Sequence, residues 1–363
     1  MIPGASDSIV DVAGIRVGHH QRLDDEVTVA TADEAGTGWA TGTTVVVLPD
    51  GAVAAVDVRG GGPGTRETDL LDPTNTVQQA HAIVLSGGSA YGLAAADGVM
   101  THLETQGTGL VMDKRGAVVP IVPAAVIFDL TVGAWSARPD RDFGARAAAD
   151  ARTEVPAGSV GAGTGARAGA LKGGVGSASI TFTTGPATGI TVAALIVANP
   201  VGAVIDPTTG LPWGAGPAEL DYYGLRPPVE TEIAELLALT AKSTPLNTTI
   251  GVVATDAALD PASTTRVAMT AHDGMARAIR PAHSPLDGDT LFAVSTGATT
   301  PTPGEDEQPA IPAGMNPQAA LVAVIGEAAA TVVQRAIVKA VLAADPVAGI
   351  PSYRQTLPSA FAP

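Results

Sequence analysis

Short apolar runs, each closed by glycine or proline, constrain this chain more than any other feature. The 43 glycines and 28 prolines are spread among apolar stretches rather than gathered into a polar tract. With 45% hydrophobic residues the chain can bury a large core, so this punctuation reads as tight turns and close backbone packing, not disorder. Runs of four to eight apolar residues between such breakers are strands. The expectation is an α/β (α+β) chain of mostly antiparallel sheets with helices on their outer faces, folding as a single domain over 1–363. Strands and helices do not alternate as βαβ units, and no internal repeat is visible.

Placed along the chain, Thr43 to Leu48 and Ala52 to Val58 read as a hairpin about Pro49-Asp50-Gly51. Residues 177–183 and 188–198 read as an antiparallel pair, and 82–85, 250–255 and 289–295 as further strands. Helices are expected over about 90–104, 142–151, 227–241 with a break at Ser243-Thr244-Pro245, 260–279 and 316–344. Asp260-Pro261 has the N-cap and first-turn proline of a helix start. The 316–344 helix is apolar on most of its circumference, but Glu327, Arg335 and Lys339 interrupt it too often for a membrane span. Glu305, Asp306 and Glu307 fall in a Pro/Thr loop read as mobile, and residues 345–363 read as an extended tail.

Several chemistries are excluded. There is no cysteine, which removes disulfides, thiolate zinc sites and cysteine nucleophiles. A formal net charge of −16 without a basic stripe argues against nucleic acid and reads as solubility. The first residues, Met1-Ile2-Pro3-Gly4, show no signal-peptide pattern, so the cytoplasm is the expected compartment. The six histidines show no metal spacing and are read as structural; neither a metal nor an organic cofactor is expected.

One segment points to chemistry. Asn247-Thr248-Thr249 precedes the apolar run Ile250-Gly251-Val252-Val253, which ends in Ala254-Thr255-Asp256. Such a tripeptide is a loop before a strand, or a glycosylation acceptor in a secreted chain. It also has the form of a self-cleaving bond. Thr248 would attack the Asn247 carbonyl, and hydrolysis of the resulting ester would expose Thr248 with its own α-amine as general base. Thr249 is a rival nucleophile.

Other candidates each carry two readings. Gly87-Gly88-Ser89-Ala90-Tyr91-Gly92 nearly matches a nucleophile elbow, but Tyr91 stands in the second glycine position. Ser89 is then a helix N-cap, and Gly87 and Gly88 let a ligand approach the helix end. Asn199, before Pro200 and Gly202, is a turn residue or an amide donor to an oxyanion. Lys172, in a glycine-rich segment, is a solvated lysine or an orienting cation. Asp287-Gly288-Asp289 is a polar turn, or a carboxylate pair that holds the Thr248 hydroxyl and the new ammonium.

Taken in order, these motifs resemble one family over nearly the whole chain. The resemblance runs from Gly14-Ile15-Arg16-Val17-Gly18-His19 through Gly87-Gly88-Ser89-Ala90-Tyr91-Gly92-Leu93, the Lys172 segment, Asn199-Pro200-Val201-Gly202 and Asn247-Thr248-Thr249-Ile250 to Asp287-Gly288-Asp289-Thr290-Leu291-Phe292. The family is the self-processing group that includes L-aminopeptidase/D-esterase, β-peptidyl aminopeptidases and the nylon-oligomer (6-aminohexanoate oligomer) hydrolase.

The resemblance implies a four-layer αββα sandwich related to ornithine acetyltransferase and like the N-terminal-nucleophile fold. It implies autocleavage into a large chain, 1–247, and a small chain, 248–363, that stay together and assemble as tetramers or larger. Thr248 would be the nucleophile, Asn199 and Lys172 oxyanion or orienting groups, and Asp287 and Asp289 the positioning carboxylates. The Asn-Thr cleavage pair and the two aspartates resemble the nylon-hydrolase side of the family. Where those enzymes carry an active-site tyrosine this chain has Phe128, so Tyr91 or a backbone N–H would supply the missing donor. The implied activity is hydrolysis of a small linear amide or peptide; acyl transfer to an amine and a non-catalytic scaffold are the competing readings.

Overall fold

A computed structural model of the chain describes residues 1–239, 246–304 and 311–361. The expected break at Ser243-Thr244-Pro245 and the acidic stretch Glu305, Asp306 and Glu307 lie outside the described residues. The strands are β1 (Arg16–Leu23), β2 (Ala40–Val58), β3 (Thr65–Arg66), β4 (Gln79–Ser86), β5 (Leu110–Val111), β6 (Val118–Val119), β7 (Ala124–Val126), β8 (Arg167–Ala168), β9 (Leu171–Lys172), β10 (Gly174–Thr181), β11 (Thr191–Ala198), β12 (Ile250–Ala257) and β13 (Thr290–Thr299). The helices are α1 (Ala95–Thr105), α2 (Arg141–Ala149), α3 (Pro217–Tyr223), α4 (Glu230–Ala238), α5 (Pro261–Ala278), α6 (Ala319–Leu342) and α7 (Tyr353–Thr356).

The main sheet runs β10-β11-β12-β13-β2-β4-β7-β3, with β1 also on β2. Most pairs are antiparallel; β12 with β13 and β4 with β7 are parallel. β2 organises the whole. The expected hairpin is absent: Pro49-Asp50-Gly51 is an irregularity inside one continuous 19-residue strand. β4 follows one edge of β2 on both sides of this kink, pairing Val47 with Ala82 and Ala52 with Ala80. Along the other edge, β1 takes the first half of β2 and β13 the second. Gly51, at φ +71°, absorbs the kink without turning the chain back.

Because β2 bends between them, the strands form two layers. Side-chain alternation shows this directly. Val46, Leu48, Ile83 and Leu85 face Leu195, Val197, Ile250, Val252 and Phe292 in an inner core between the layers. The opposite faces are covered by helices. Val45, Val47, Ala82 and Val84 pack on α1 and α2; Ala194, Ile196, Val253, Leu291 and Ala293 pack on α5 and α6. This is the αββα order. β11 and β12 are buried throughout, so each aliphatic side chain on either face contributes about 1.5–3 kcal/mol.

Helix starts follow local chemistry. The Asp260 side chain accepts the Ser263 N–H at 2.7 Å and Pro261 occupies the first turn of α5, as the sequence predicts. α6 is long and apolar enough to cross a membrane, but most of it is buried against α5, β10 and β11. Its basic residues face the N-terminal segment: Arg335 and Lys339 both reach the Asp7 carboxylate at 2.9 Å. Residues 345–361 depart from an extended tail. They carry α7, and Tyr353 is fully buried with its hydroxyl donating to the Gly210 carbonyl at 2.8 Å.

Candidate active site

The Asn247–Thr248 peptide lies at the entry to β12, between the β11 end and the loop before β13. Both of its polar groups are held. The Thr248 N–H donates to the Asn199 carbonyl at 3.0 Å, and the Asn247 carbonyl accepts the Gly288 N–H at 3.2 Å. The Thr248 hydroxyl donates to that same carbonyl oxygen and is only slightly exposed. The Asn247 N–H donates to the Leu286 carbonyl at 3.2 Å. The Thr248 hydroxyl, the Asn247 carbonyl and a backbone N–H donor thus converge on one peptide.

Gly288 makes this approach possible. A Cβ there would lie 2.8 Å from Thr248 Oγ1 and 2.8 Å from the Gly62 carbonyl oxygen. The flanking aspartates bind in opposite directions. Asp289 Oδ1 accepts the Thr249 N–H at 2.8 Å. Asp287 Oδ1 accepts the Val201 N–H at 3.1 Å, tying the loop to the turn that carries Asn199. The Asn199 side chain bridges two further segments: Nδ2 donates to the Phe128 carbonyl at 3.2 Å and Oδ1 accepts the Arg167 N–H at 2.9 Å.

A pocket of about 150 Å³ opens in front of Thr248. Pro63, Ser89, Val126, Phe128, Leu246 and Leu286 are among the residues that wall it, and among the described residues no charged side chain lines it. Ser89 is not an N-cap. Gly88 takes that position, and Ser89 opens a 3-10 turn in the left-handed region, at φ +52°. Gly87 is required because a Cβ would overlap Asp129 and Thr41. Tyr91 lies outside the pocket lining, half-exposed, with the Arg138 guanidinium 3.8 Å from its ring centre. The donor at the Asn247 carbonyl is therefore the Gly288 N–H rather than this phenol.

Lys172 is not among the residues that line the pocket. It is fully buried, and Nζ donates to the Gly163 and Gly173 carbonyls at 2.7 and 2.8 Å. Burial pushes its pKa down to about 7, opposed by the negative charge of Asp129. Asp129 is also buried, and burial pushes it up to about 6, offset by hydrogen bonds from the Thr41 hydroxyl (2.6 Å) and the Gly88 N–H (2.6 Å). Asp129 thus holds the glycine turn that leads into Ser89, and Lys172 holds the backbone at Gly163 and Gly173. Sequence reasoning passed over Asp129 because it follows an apolar run; a carboxylate directly after buried β-residues was the available signal. His283, read as structural, bonds to Asp289 through both its N–H (3.0 Å) and Nδ1 (2.9 Å).

Comparisons with known proteins identify the family. The sequence profile of peptidase family S58 matches residues 7–354. A protein of Mycobacterium tuberculosis named an uncharacterized aminopeptidase is 55% identical, covering 98% of this chain and 99% of its own. The 6-aminohexanoate-oligomer endohydrolase of a Kocuria species is 34% identical over 70% of this chain and 69% of its own. Among solved structures, a Burkholderia β-aminopeptidase superposes with a TM-score of 0.71 at 25% identity, covering 98% of this chain and 92% of that one. The L-aminopeptidase D-Ala-esterase/amidase of Ochrobactrum anthropi, described as a variant of the Ntn hydrolase fold, shares the fold with a TM-score of 0.66 at 20% identity, over 98% of this chain and 91% of that one. On a profile match that spans almost the full length, and on relatives named for amide-bond hydrolysis, the chain belongs to peptidase family S58 and is a hydrolase of amide bonds.

Proposed function

We propose that the protein cuts itself between Asn247 and Thr248 and then hydrolyses small linear amides or peptides with Thr248 as nucleophile. The observation that carries this is the single peptide on which the Thr248 hydroxyl and the Gly288 N–H meet at one carbonyl oxygen. In self-cleavage, Oγ1 bonds to the Asn247 carbonyl carbon, the C–N bond breaks, and the hydroxyl proton passes to the nitrogen. The Gly288 N–H stabilises the oxyanion, and the Asn199 carbonyl steadies the departing N–H. Water hydrolyses the ester, leaving a carboxylate on Asn247 and a free hydroxyl and amine on Thr248.

The same groups then serve a substrate. Thr248 Oγ1 attacks the amide carbonyl while the α-amine takes the hydroxyl proton and passes it to the leaving amine. An acyl-enzyme remains, and water activated by the same amine releases the acid. Asp289 fixes residue 249 and so aims Thr248; Asp287 fixes the Asn199 turn. The apolar lining by Pro63, Val126, Phe128, Leu246 and Leu286 suits an apolar acyl segment, which favours a β-amino-acyl or 6-aminohexanoyl chain as well as a small peptide residue. We also propose self-association as a tetramer or larger, supported by the exposed Leu110, Val111 and Met112 around the β5–β6 hairpin; light scattering that gives a monomer mass removes this.

Intact mass spectrometry under denaturing conditions tests the core claim. The expected result is fragments ending at Asn247 and beginning at Thr248, lost in Thr248→Ala together with all amide hydrolysis. A wild-type chain that stays at 36.0 kDa after prolonged incubation overturns it.

A further inference from the structure

The loop that carries the aspartates is held by a histidine that the mechanism above does not use. His283 approaches Asp289 twice: its backbone N–H and its Nδ1 both donate to Oδ2, at 3.0 and 2.9 Å. Asp289 Oδ1 is spent on the Thr249 N–H, the residue after the nucleophile. A chain of two contacts therefore runs from the imidazole to the backbone beside Thr248. His283 reaches this position only in the left-handed region, at φ +57°, which is uncommon for a residue with a side chain.

The imidazole is itself backed. The His272 ring, on α5, meets it edge to face at 4.9 Å. His272 is completely buried, and its Nε2 donates to the Asp57 carbonyl at 3.0 Å, which leaves Nδ1 as the unprotonated nitrogen. Burial pushes the His272 pKa down to about 4, with lesser opposing effects from Asp57 and lowering from His283 and Arg59. A neutral ring therefore presses on His283, and the groups around this corner are Asp289 and His272 directly, with Asp57 and Arg59 beyond.

We infer that His283 is a positioning residue for the hydrolysis: by donating to Asp289 Oδ2 it fixes the carboxylate that aims Thr248 and tempers the negative charge next to the Thr248 amine. The inference rests on the reading of Thr248 as nucleophile. Asp289, bonded to the N–H of the residue after Thr248, sets a negative charge close to the new amine and favours its ammonium form, which is no base. A donor on its outer oxygen draws off part of that charge and keeps the amine available near neutrality.

The test compares wild type, His283→Ala and His283→Asn as purified full chains, each checked by circular dichroism. The probes are the p-nitroanilides of L-alanine and β-alanine and the linear 6-aminohexanoate dimer, with kcat and KM followed across pH. Asn supplies an N–H donor at a similar reach and tolerates left-handed backbone. His283→Ala should lose roughly tenfold to a hundredfold in kcat with KM little changed. Its acid limb should move up by about one pH unit, as the amine becomes harder to deprotonate. His283→Asn should recover most of kcat and keep the limb near its wild-type place. Wild-type kcat and limb in His283→Ala overturn the inference, as does equal loss in both variants with the limb unmoved, which is what a purely structural residue gives. A wild-type chain that neither cuts itself nor hydrolyses any probe sinks the nucleophile reading and this role with it, a result distinct from losses confined to the variants.

Discussion

Gly288 shows how much of the site is a matter of missing atoms. Its lack of a side chain brings the loop within reach of the Asn247 carbonyl, and the atoms a Cβ would meet include the Gly62 backbone, which cannot swing aside. Gly288→Ala should slow self-cleavage by at least about tenfold while costing only about 1–3 kcal/mol of stability, read from a cleavage time course and a urea melt. The Asp129–Lys172 pair makes a separate prediction about pH. Lys172 has a folded pKa near 7, below its unfolded value, so between about 7 and 10 the unfolded chain holds the extra proton and stability rises with pH. Asp129, folded near 6, gives stability that is full below about 4 and is lost as pH rises through 6. Melting temperature against pH should flatten above 7 in Lys172→Met and between 4 and 6 in Asp129→Asn, each segment carrying up to about 1.4 kcal/mol per pH unit; curves parallel to wild type remove the assignment. Asn247, Thr248 and the Asp287-Gly288-Asp289 loop were legible because polar residues sit at the mouths of apolar strands. His283 was not, since its contact depends on a left-handed backbone that no local pattern announces.

Among elements, β2 was the one most misread. Pro-Asp-Gly between two apolar runs has the chemistry of a hairpin turn, but β4 lies along both halves of the strand and holds them in line. Tertiary pairing overrode turn propensity. The antiparallel β10–β11 pair and the start of α5 were read correctly because each is written in a few adjacent residues. Packing of α1 on α2 was not visible at all: it runs through Gly98 and Gly144, where a Cβ would overlap the carbonyl oxygens of Arg141 and Ala95. Gly144→Ala should therefore destabilise by about 1–3 kcal/mol or more, since both partners are backbone. Urea unfolding monitored by circular dichroism measures this; an unchanged midpoint would mean the helices can slide apart freely.

At the scale of the molecule, sheets with helices on their outer faces could be read from the order of elements, whereas the stacking into two sheet layers followed from family resemblance, because glycine-rich strands offer little alternation to read. The proposed small chain contributes β12, β13, α5 and α6, and β12 is hydrogen-bonded between β11 and β13. Cleavage at Asn247 should therefore leave the particle whole: gel filtration unchanged in native buffer, separation only in denaturant, and one cooperative thermal transition. Separation on simple dilution would contradict this. The insertion of β13 between β12 and β2 also sets a clock on biosynthesis. A nascent chain that has emerged only as far as Leu286 already contains the Asn247–Thr248 bond but lacks Gly288, Asp289 and the strand that seats them. The proposed nucleophile stays silent from its own synthesis until Gly288 has followed it, and a truncated chain ending at Leu286 should persist uncut where the full chain matures.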